Sequence, residues 1–454
     1  MYTLPRDTKI NNQILNDIID FNEKYNERLK QLGNYYIGNH NIKKREKVNA
    51  LKNNKVVVNH AKYITDTNIG YLLGNPVDYQ VTQGDNGEPL FDIQPVLDAY
   101  KKQTINDLDM EIAKDVSIFG YQYEYVYADE NAEPKSCEID NDNAIIVYDD
   151  SVEHNKLFAL IYRPILEGNV FKYWDIIYID DKEEIHYKSS TKRLNRQGES
   201  KYHAFGKVPL ICYKNNPDLL GDFEPVISLI DAYNLLQSDR INDKEQLVDA
   251  ILCMYGMDFD EEQAGLLKDS RMIANIPSDA KVEYLVKTLH ESDVDILRQN
   301  IENDIHKISM TPNMSDVNFV GNSSGVAIRY KLLSFEQNIK NKERYMEKGL
   351  MERFELYNNF LVKLSKMEKV PVEEVDAVFK RNLPSNDFET SQMINNLSDH
   401  LCSETLVSQL SFVKDASEEV ELKTVERSNQ NYNDEYYNGN EMNDINNNGV
   451  VADE

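Results

Sequence analysis

The hydrophobic positions near the start of the chain recur every three or four residues, which is the spacing of one helix face. They are Leu15, Ile18, Phe21, Tyr25, Leu29 and Leu32. The pattern predicts a helix from Asn11 to Leu32. Gly33 follows directly and is expected to end this helix.

Further along the chain, side chains of one type recur at every second residue, which is the spacing of one face of a strand. The tyrosines from Tyr121 to Tyr127 alternate with Gln122, Glu124 and Val126, so four aromatic rings share one face of a strand. A platform that stacks nucleic-acid bases has basic neighbours, whereas these rings are accompanied by Glu124 and Asp129. We therefore expect the tyrosines to pack within a sheet.

The region from Asn34 to Leu220 contains both the helical spacing of three or four residues and the strand spacing of two. It therefore indicates an α+β organisation. Further strands are predicted at Ala144–Val147, Phe158–Tyr162, Phe171–Ile179 and Val208–Tyr213. A helix is predicted at Leu97–Ile118, and Val56, Val57 and Val58 form a short β-branched run.

Helical spacing returns after Pro225. Ile230, Tyr233 and Leu236 begin a helix whose pattern runs toward Cys253. A second helix carries Val294, Leu297, Ile301, Ile305 and Ile308. The two helices bracket a compact insert from Tyr255 to Leu289, so the region is a helical hairpin with a small module at its tip.

A loop with no lysine or arginine, Thr311 to Gly325, separates this hairpin from a long helical pattern. The pattern predicts a helix from Val326 to about Lys366, which would span about 60 Å. Gly349 lies inside it and is a candidate bend.

The last part of the chain changes character. Met393 to Phe412 predicts one or two short helices. After Arg427 there is no positive charge, and nine of the twenty residues from Asn429 to Asn448 are asparagine. This composition predicts a disordered acidic tail.

Composition narrows the class of protein. The chain has 454 residues, 41% of them hydrophobic, and a formal net charge of −28. It carries no apolar run of 18 residues and no hydrophobic leader at its start, so we expect neither a spanning helix nor a signal peptide. A protein that grips duplex DNA by its phosphates has a large basic surface, and this chain is not basic overall.

Motifs for catalysis are absent or incomplete. A phosphate-binding loop needs GxxxxGK[ST], and the nearest match, Gly33 to His40, has Asn39 and His40 in place of the lysine and hydroxyl. Acidic pairs that could hold Mg²⁺ for a nuclease are expected to be solvated surface. The pairs are Asp149-Asp150, Asp180-Asp181 and Glu183-Glu184. We expect no cofactor, no metal and no catalytic residue.

Three segments are more distinctive: Tyr35 to His40 (YYIGNH), Asn59 to Ile64 (NHAKYI) and Gly70 to Val77 (GYLLGNPV). Together they resemble the amino-terminal signature of the portal proteins of long-tailed phages that infect Gram-positive hosts. Two further segments resemble that family in the same order. These are Phe319 to Tyr330 with Lys331-Leu332-Leu333, and Glu404-Thr405-Leu406 with Asp415 and Glu418-Glu419.

The resemblance implies the portal fold and a subdivision of the chain. Residues 1–223 would be an α+β wing, 224–253 a stem helix, 254–290 a small α/β clip, 291–310 a second stem helix, 311–325 a tunnel loop, 326–383 a long kinked helix with the return to the wing, 384–427 a helical crown, and 428–454 the disordered tail.

The resemblance also implies a function. Such proteins form a ring, dodecameric in the family, at one capsid vertex, and DNA passes through its channel during packaging and ejection. The implied partners are the terminase large subunit, then a head-completion or adaptor protein, with major capsid and scaffold proteins as neighbours. The protein would reside in the virion, and in the host cytoplasm during assembly. It would have no enzymatic activity and no membrane partner. The alternative is a packaging-associated nuclease or ATPase.

Candidate site residues follow from the resemblance and from loop composition. The tunnel loop would present Asp316, Asn318, Phe319, Val320 and Asn322 to DNA, and it offers no cation for a phosphate. Any weak grip would come from stem cations, namely Arg240, Lys244, Arg298 and Lys307. Exposed or intersubunit ion pairs are the alternative role for these four side chains.

The clip would carry the surface for partner proteins. Its acidic residues Asp258, Asp260, Glu261 and Glu262 are the candidates for that surface. A ring interface is heterologous, so two different faces of each subunit must be complementary.

Overall fold

The computed structural model describes most of the chain. The described residues are 2–46, 53–84, 88–190, 195–248, 251–255, 281–285, 291–314, 330, 332–381, 387–410, 413, 416–417 and 419–426. The chain is 47% helical and 23% strand, which confirms the α+β class. It divides into two compact units, Met1–Asn382 and Leu383–Glu454.

The elements are numbered in chain order. The helices are α1 (Asn12–Glu23), α2 (Asn26–Tyr36), α3 (His60–Leu72), α4 (Gln94–Lys102), α5 (Ile105–Phe119), α6 (Ile227–Val248), α7 (Glu291–Ile308), α8 (Leu333–Lys363), α9 (Asp387–Leu397) and α10 (Ser403–Val407). The strands are β1 (Tyr2–Leu4), β2 (Asp78–Val81), β3 (Tyr121–Ala128), β4 (Pro134–Ile139), β5 (Ala144–Asp149), β6 (Lys156–Glu167), β7 (Val170–Ile179), β8 (Glu183–Ser189), β9 (Asn195–Tyr202), β10 (Leu210–Lys214), β11 (Ile251–Tyr255), β12 (Lys281–Leu285) and β13 (Val375–Val378).

The first helical pattern forms two helices, so the prediction of a single helix is wrong. The break lies at Tyr25, whose N–H donates to the Asn22 carbonyl at 3.0 Å. Asn22 is buried, and its side-chain amide donates to the Ala144 carbonyl (3.1 Å) and to the Tyr162 hydroxyl (2.6 Å). The end of α1 is therefore fixed by the sheet, which the local sequence does not reveal.

Gly33 does not end the helix either, because α2 continues to Tyr36. A Cβ at Gly33 would lie 3.6 Å from the ring of Phe119, so this glycine sits against α5. The chain reverses at Gly38, whose φ of +83° lies in the left-handed region that favours glycine.

Two sheets pack face to face in the first unit. The larger has the order β1–β5–β6–β7–β8–β9 and is antiparallel except for the β1–β5 pair, while the smaller has the order β10–β3–β4. In β5, Ile145 and Val147 join the cluster that contains α1, whereas Ala144 and Ile146 join the cluster that contains β3 and β10. Both faces of β5 are therefore buried.

The predicted strands at β3, β5, β6, β7 and β10 are confirmed. In β3, Tyr121 and Tyr123 are buried in the core between the sheets, as expected, while Tyr127 at the strand end is exposed. The predicted helix at Leu97–Ile118 is interrupted at Thr104, whose φ is +50°, and forms α4 and α5.

One acidic pair departs from the expectation of solvated surface. Asp149 is fully buried, and its carboxylate accepts hydrogen bonds from the Ser151 hydroxyl (2.6 Å), the Asn155 N–H (2.9 Å) and Arg6 (2.9 Å). These donors lower the pKa of Asp149 to about 2. Asp149 closes a turn and is not part of an acidic surface.

The long helix α8 provides the centre of the largest core cluster. Its buried side chains Ile339, Leu350 and Phe354 pack with residues of α4, α5 and β10. The helix is continuous through Gly349, the candidate bend, where a Cβ would lie 2.2 Å from the Tyr213 ring. Gly349 therefore permits a close approach of β10 to the helix.

The second unit contains α9 and α10, which confirms the two short helices predicted around Met393 to Phe412, although α9 begins earlier, at Asp387. Leu406 of α10 is buried. The predicted tail after Arg427 lies outside the described residues.

Candidate functional site

The α6–α7 pair forms the candidate stem. The two helices run in opposite directions, since Arg240 of α6 meets Asp295 near the start of α7, and Ile230 shares a core with Ile305 near its end. Strand β11 follows the end of α6, and strand β12 precedes the start of α7. The two strands pair antiparallel. The predicted hairpin is confirmed, but α6 ends at Val248 and residues 251–255 are a strand, so the helix does not reach Cys253.

A ladder of hydrogen bonds joins α6 to an extended segment, residues 54–58. The side chains of Asn234, Ser238 and Asn242 recur every four residues along α6 and are buried. They accept the backbone N–H groups of alternate residues, as follows: Asn234 from Val58 (2.8 Å), Ser238 from Val56 (3.0 Å) and Asn242 from Asn54 (2.8 Å). The β-branched run at 56–58 is therefore extended but belongs to no sheet.

The first resemblance segment packs against the base of α6. Tyr35 donates its hydroxyl to Asp231 at 2.7 Å, and Asn234 donates its amide to Nδ1 of His40 at 2.8 Å. With Nδ1 as acceptor, Nε2–H of His40 donates to the Tyr35 carbonyl at 2.9 Å. Burial lowers the pKa of His40, which favours this neutral imidazole.

The second segment connects to the first through Asn59. Its side-chain oxygen accepts the Lys62 N–H (3.0 Å) and caps α3, while its amide donates to the Tyr36 carbonyl (2.9 Å). The two motif segments thus form one structural unit around the start of α3.

Helix α3 also holds the first residues of the candidate tunnel loop. The Tyr63 hydroxyl donates to the Pro312 carbonyl (2.9 Å) and accepts the Met314 N–H (3.0 Å). The neighbouring Thr311 carbonyl accepts a hydrogen bond from Nδ1 of His306 at 3.0 Å. Residues 311–314 are therefore fixed by three backbone contacts.

The third segment holds the start of α8. Tyr71 donates its hydroxyl to Glu336 and packs its ring 4.8 Å from that of Phe335 at the start of α8. Tyr63 and Tyr71 lie eight residues apart on α3, which is about 12 Å along the helix. Residues 312 and 314 and the start of α8 are thus bound to one helix.

Several predicted site residues lie outside the described residues. They are Asp316, Asn318, Phe319, Val320 and Asn322 of the candidate tunnel loop, and Asp258, Asp260, Glu261 and Glu262 of the candidate clip. Their roles stay predictions.

Two of the four candidate channel cations are bound to carboxylates of the same stem. Arg298 donates to Asp295 (2.9 Å) and Glu302 (2.7 Å), and Asp295 also lies 3.7 Å from a guanidinium nitrogen of Arg240. The hydrogen bond from Arg298 lowers the pKa of Asp295, so that carboxylate remains charged. Lys244 and Lys307 are exposed.

A buried histidine completes the base of the stem. His60 packs edge-on against Tyr233 (4.8 Å between ring centres) and His306 (5.8 Å), and its Nε2 has no hydrogen-bond partner among the described residues. Burial, with the nearby His306, lowers the pKa of His60 to about 4. The site therefore holds a neutral imidazole at neutral pH.

The anchoring residues Tyr63, Tyr71 and His306 were not identified from the sequence as functional. Tyr63 and Tyr71 do lie within the resemblance segments, so the segments themselves were the available signal. Within the described ranges, no group of three His, Cys, Asp or Glu side chains is arranged to hold a metal ion.

A family model described as "Phage portal protein, SPP1 Gp6-like" matches residues 15–432. The chain belongs to this family of phage portal proteins. The portal protein of Bacillus phage SPP1 is 25% identical to it over 379 residues, which cover 79% of this chain and 73% of the SPP1 protein. The resemblance seen in the sequence is thereby confirmed.

Family membership defines the general role of this portal protein. Portal proteins are structural, non-enzymatic components of the phage, and they belong to the capsid vertex of the virion. No enzymatic family is indicated for the chain. Among the described helices, none is long and apolar enough to cross a membrane.

Proposed function

We propose that twelve copies of this chain form a ring at one capsid vertex, and that DNA enters and leaves through its channel. The ring docks the terminase large subunit during packaging and a head-completion or adaptor protein afterwards, and it assembles with major capsid and scaffold proteins in the host cytoplasm. Family membership carries this proposal. The α6–α7 pair and the segment anchored to α3 directly after it support the proposal.

The charge of the chain suits passage of DNA. Twelve copies at −28 each would carry about −336 formal charges, and like charge opposes tight binding of a polyanion. The carboxylates bound to Arg240 and Arg298 reduce the positive charge of the stem further. DNA would then slide along the channel with few phosphate contacts.

Residues 311–325 act as the tunnel loop in this proposal. The support is that Pro312 and Glu336, which lie on either side of the loop in the sequence, are both held by α3, through Tyr63 and Tyr71. Asp316, Asn318, Phe319, Val320 and Asn322 would contact DNA sterically or through water. Of the stem cations, the exposed side chains of Lys244 and Lys307 would meet phosphates.

The remaining subdivisions complete the proposal. Residues 1–223 and the return at 326–383 form the wing, 224–253 and 291–310 the stem, 254–290 the clip, and 384–427 the crown. The clip docks partners through Asp258, Asp260, Glu261 and Glu262. Reversing the charge of these four residues is expected to weaken terminase binding, measured by pull-down, and unchanged binding would remove the clip from the docking surface.

Native mass spectrometry with negative-stain imaging tests the ring. We expect a closed ring of about twelve subunits with a central hole. A compact closed oligomer without a hole would contradict the proposal. The same preparation is expected to hydrolyse neither ATP nor DNA, whereas hydrolysis by the purified protein would favour the packaging nuclease or ATPase.

The tunnel loop is tested by its anchor and by deletion. Tyr63→Phe removes both hydrogen bonds to residues 312 and 314, and deletion of Asp316 to Val320 removes the central part of the loop. Both variants are expected to form rings but to package or retain less DNA. Tyr36→Phe is the matched control, because the Tyr36 hydroxyl contacts Asp66 on an exposed surface. Normal DNA packaging by the deletion variant would refute the loop assignment.

A further inference from the structure

An open cleft of about 680 Å³ lies between α2 and a short 3₁₀ turn, Asn41–Lys44. It is lined mainly by polar side chains, and the rings of Tyr35 and His40 stack at its base with centres 4.6 Å apart. The polar lining consists of Glu27, Lys30, Gln31 and Asn34 from α2, and Asn39, Asn41, Lys43 and Lys44 from the facing segment.

The three lysines of this cleft are not neutralised as the stem arginines are. Lys30 and Lys44 are exposed and form no ion pair within the described part of the chain, and Lys43 donates to the amide oxygen of Asn39 at 3.0 Å. Carboxylates also lie nearby, and one of them, Asp142, is close enough to Lys30 for an electrostatic interaction. Glu27 is exposed, and Asp231 accepts hydrogen bonds from the Tyr35 hydroxyl and the Asn41 amide.

The surrounding sequence is basic in a strongly acidic chain. From Asn39 to Lys62 there are seven lysines or arginines and one acid, Glu46. The chain as a whole has a net charge of −28, whereas this segment is positively charged. Solubility alone does not require a positively charged segment in such an acidic chain. The concentration of cations points to an anionic ligand.

The cleft is also rigid. Its two walls are joined by the Asn39 N–H, which donates to the Asn34 carbonyl at 2.7 Å, and by the turn at Gly38. His40 at the base is fixed by Asn234 of α6. A wall-to-wall distance that is set before binding reduces the entropic cost of holding a ligand.

We infer that this cleft binds phosphate groups of the duplex DNA backbone. Lysine ammonium groups act as point charges for phosphate, and the amides of Asn34 and Asn39 can donate further hydrogen bonds to its oxygens. The inference rests on the proposed passage of DNA. It adds phosphate contacts at Lys30, Lys43 and Lys44 to those proposed for the stem lysines.

The test compares duplex DNA binding by three forms of the full chain. They are the wild type, the cleft variant Lys30→Gln/Lys43→Gln/Lys44→Gln, and the control variant Lys188→Gln/Arg196→Gln/Lys201→Gln. The control removes the same charge from exposed residues of β8 and β9. Affinity for a labelled duplex of about 30 base pairs is measured by fluorescence anisotropy at several salt concentrations, because phosphate binding depends on salt. Poly-L-glutamate serves as a second ligand.

The cleft variant is expected to bind DNA about tenfold or more weakly than the wild type at low salt. Its salt slope is expected to fall by about 0.9 for each phosphate that the three lysines neutralise in the wild type. The control is expected to keep its affinity within about twofold. An equal weakening in both variants, or none in the cleft variant, would overturn the inference. A weakening confined to poly-L-glutamate would assign the cleft to an acidic protein and overturn it as well.

Native mass spectrometry of the same preparations separates this inference from the proposed function. If rings form and the cleft variant binds DNA like the wild type, only the inference fails. If no ring with a channel forms, the proposed function fails, and the anisotropy comparison still decides whether the cleft binds phosphate.

Discussion

At the residue scale, the main feature is a pair of buried ion pairs that Arg353 of α8 forms. Arg353 is fully buried, and it donates to Glu124 at 2.7 Å and to Asp109 at 2.6 Å. Tyr213 donates its hydroxyl to the same Glu124 at 2.6 Å. Burial raises the pKa of Asp109, and the adjacent guanidinium opposes that rise. The charge of Asp109 therefore depends on Arg353.

We expect Arg353→Met to destabilise the protein by about 3–5 kcal/mol, because two buried carboxylates lose their only buried cation partner within the described cluster. Urea unfolding at pH 7 measures the change. Arg163→Met is the matched control. Its partner Asp175 lies 3.0 Å away in an exposed pair, so the expected cost is at most about 1 kcal/mol. Equal costs for the two variants would contradict the assignment.

His60 makes stability depend on pH. Its pKa falls from the usual 6.5 to about 4 in the folded protein, so folding opposes protonation. The contribution of the neutral ring is fully present above pH 6.5 and is lost as the pH falls toward 4. His306, Glu302, His40 and Tyr233 are the groups that face it.

Comparing the wild type with His60→Gln isolates the contribution of His60 to the pH dependence of stability. Between pH 7 and pH 4, the wild type is expected to lose about 3 kcal/mol more unfolding free energy than the variant. Chemical denaturation at both pH values measures the difference. Parallel pH profiles for the two proteins would show that His60 is protonated without cost.

At the scale of elements, α8 depends on a close approach of β10. Glycine is normally unfavourable inside a helix by about 1 kcal/mol relative to alanine. At Gly349 the Tyr213 ring occupies the space that a Cβ would take. Packing therefore outweighs helix propensity at this position.

Gly349→Ala is expected to destabilise the protein by about 1–3 kcal/mol through the clash with Tyr213. Gly70→Ala in α3 has the opposite expectation. No atom among the described residues lies within 4 Å of its added Cβ, so alanine should stabilise by up to about 1 kcal/mol. Thermal unfolding of the two variants measures both. Similar shifts of the same sign would contradict the packing argument.

The sequence predicted elements well where the apolar period was strong, as in β5, β6 and α8. Strands β8 and β9 were missed because their sequences, EEIHYKS and NRQGESKY, are mostly polar and occupy the exposed end of the larger sheet. The break between α1 and α2 was missed because no glycine or proline marks it. It depends on Asn22 reaching β5.

At the scale of the whole molecule, acidity is distributed unevenly. The chain carries a net charge of −28, yet a basic segment borders the base of α6. The first two resemblance segments meet at α3 and α6 in the structure, while the roles of the predicted site residues stay predictions. The sequence could not reveal the contact of Arg240 with Asp295, because that contact joins two helices. The partners of Arg298 lie three and four residues away on α7, a spacing that the sequence does show.

The acidic tail gives a prediction at this scale. Residues 428–454 hold six acids and no cation, and a segment with this composition gains little from burial. Truncation after Arg427 is expected to leave ring assembly unchanged, measured by native mass spectrometry. Loss of rings on truncation would show that the tail takes part in assembly.

The ladder between α6 and residues 54–58 also limits how this region can evolve. Asn242 binds both the backbone N–H and the side-chain amide of Asn54, so residue 54 is constrained. Asn234 and Ser238 bind backbone N–H groups, so these bonds place no demand on the identity of the side chains at residues 56 and 58. Proline is the exception, because it lacks that N–H. Four helical residues rise about 6.0 Å and two extended residues about 6.6 Å, so the mismatch grows with every rung. Divergent relatives can therefore vary residue 56 widely, whereas Val58 also packs against the core around Ile230. They can neither insert a proline at residues 54, 56 or 58 nor lengthen the ladder far.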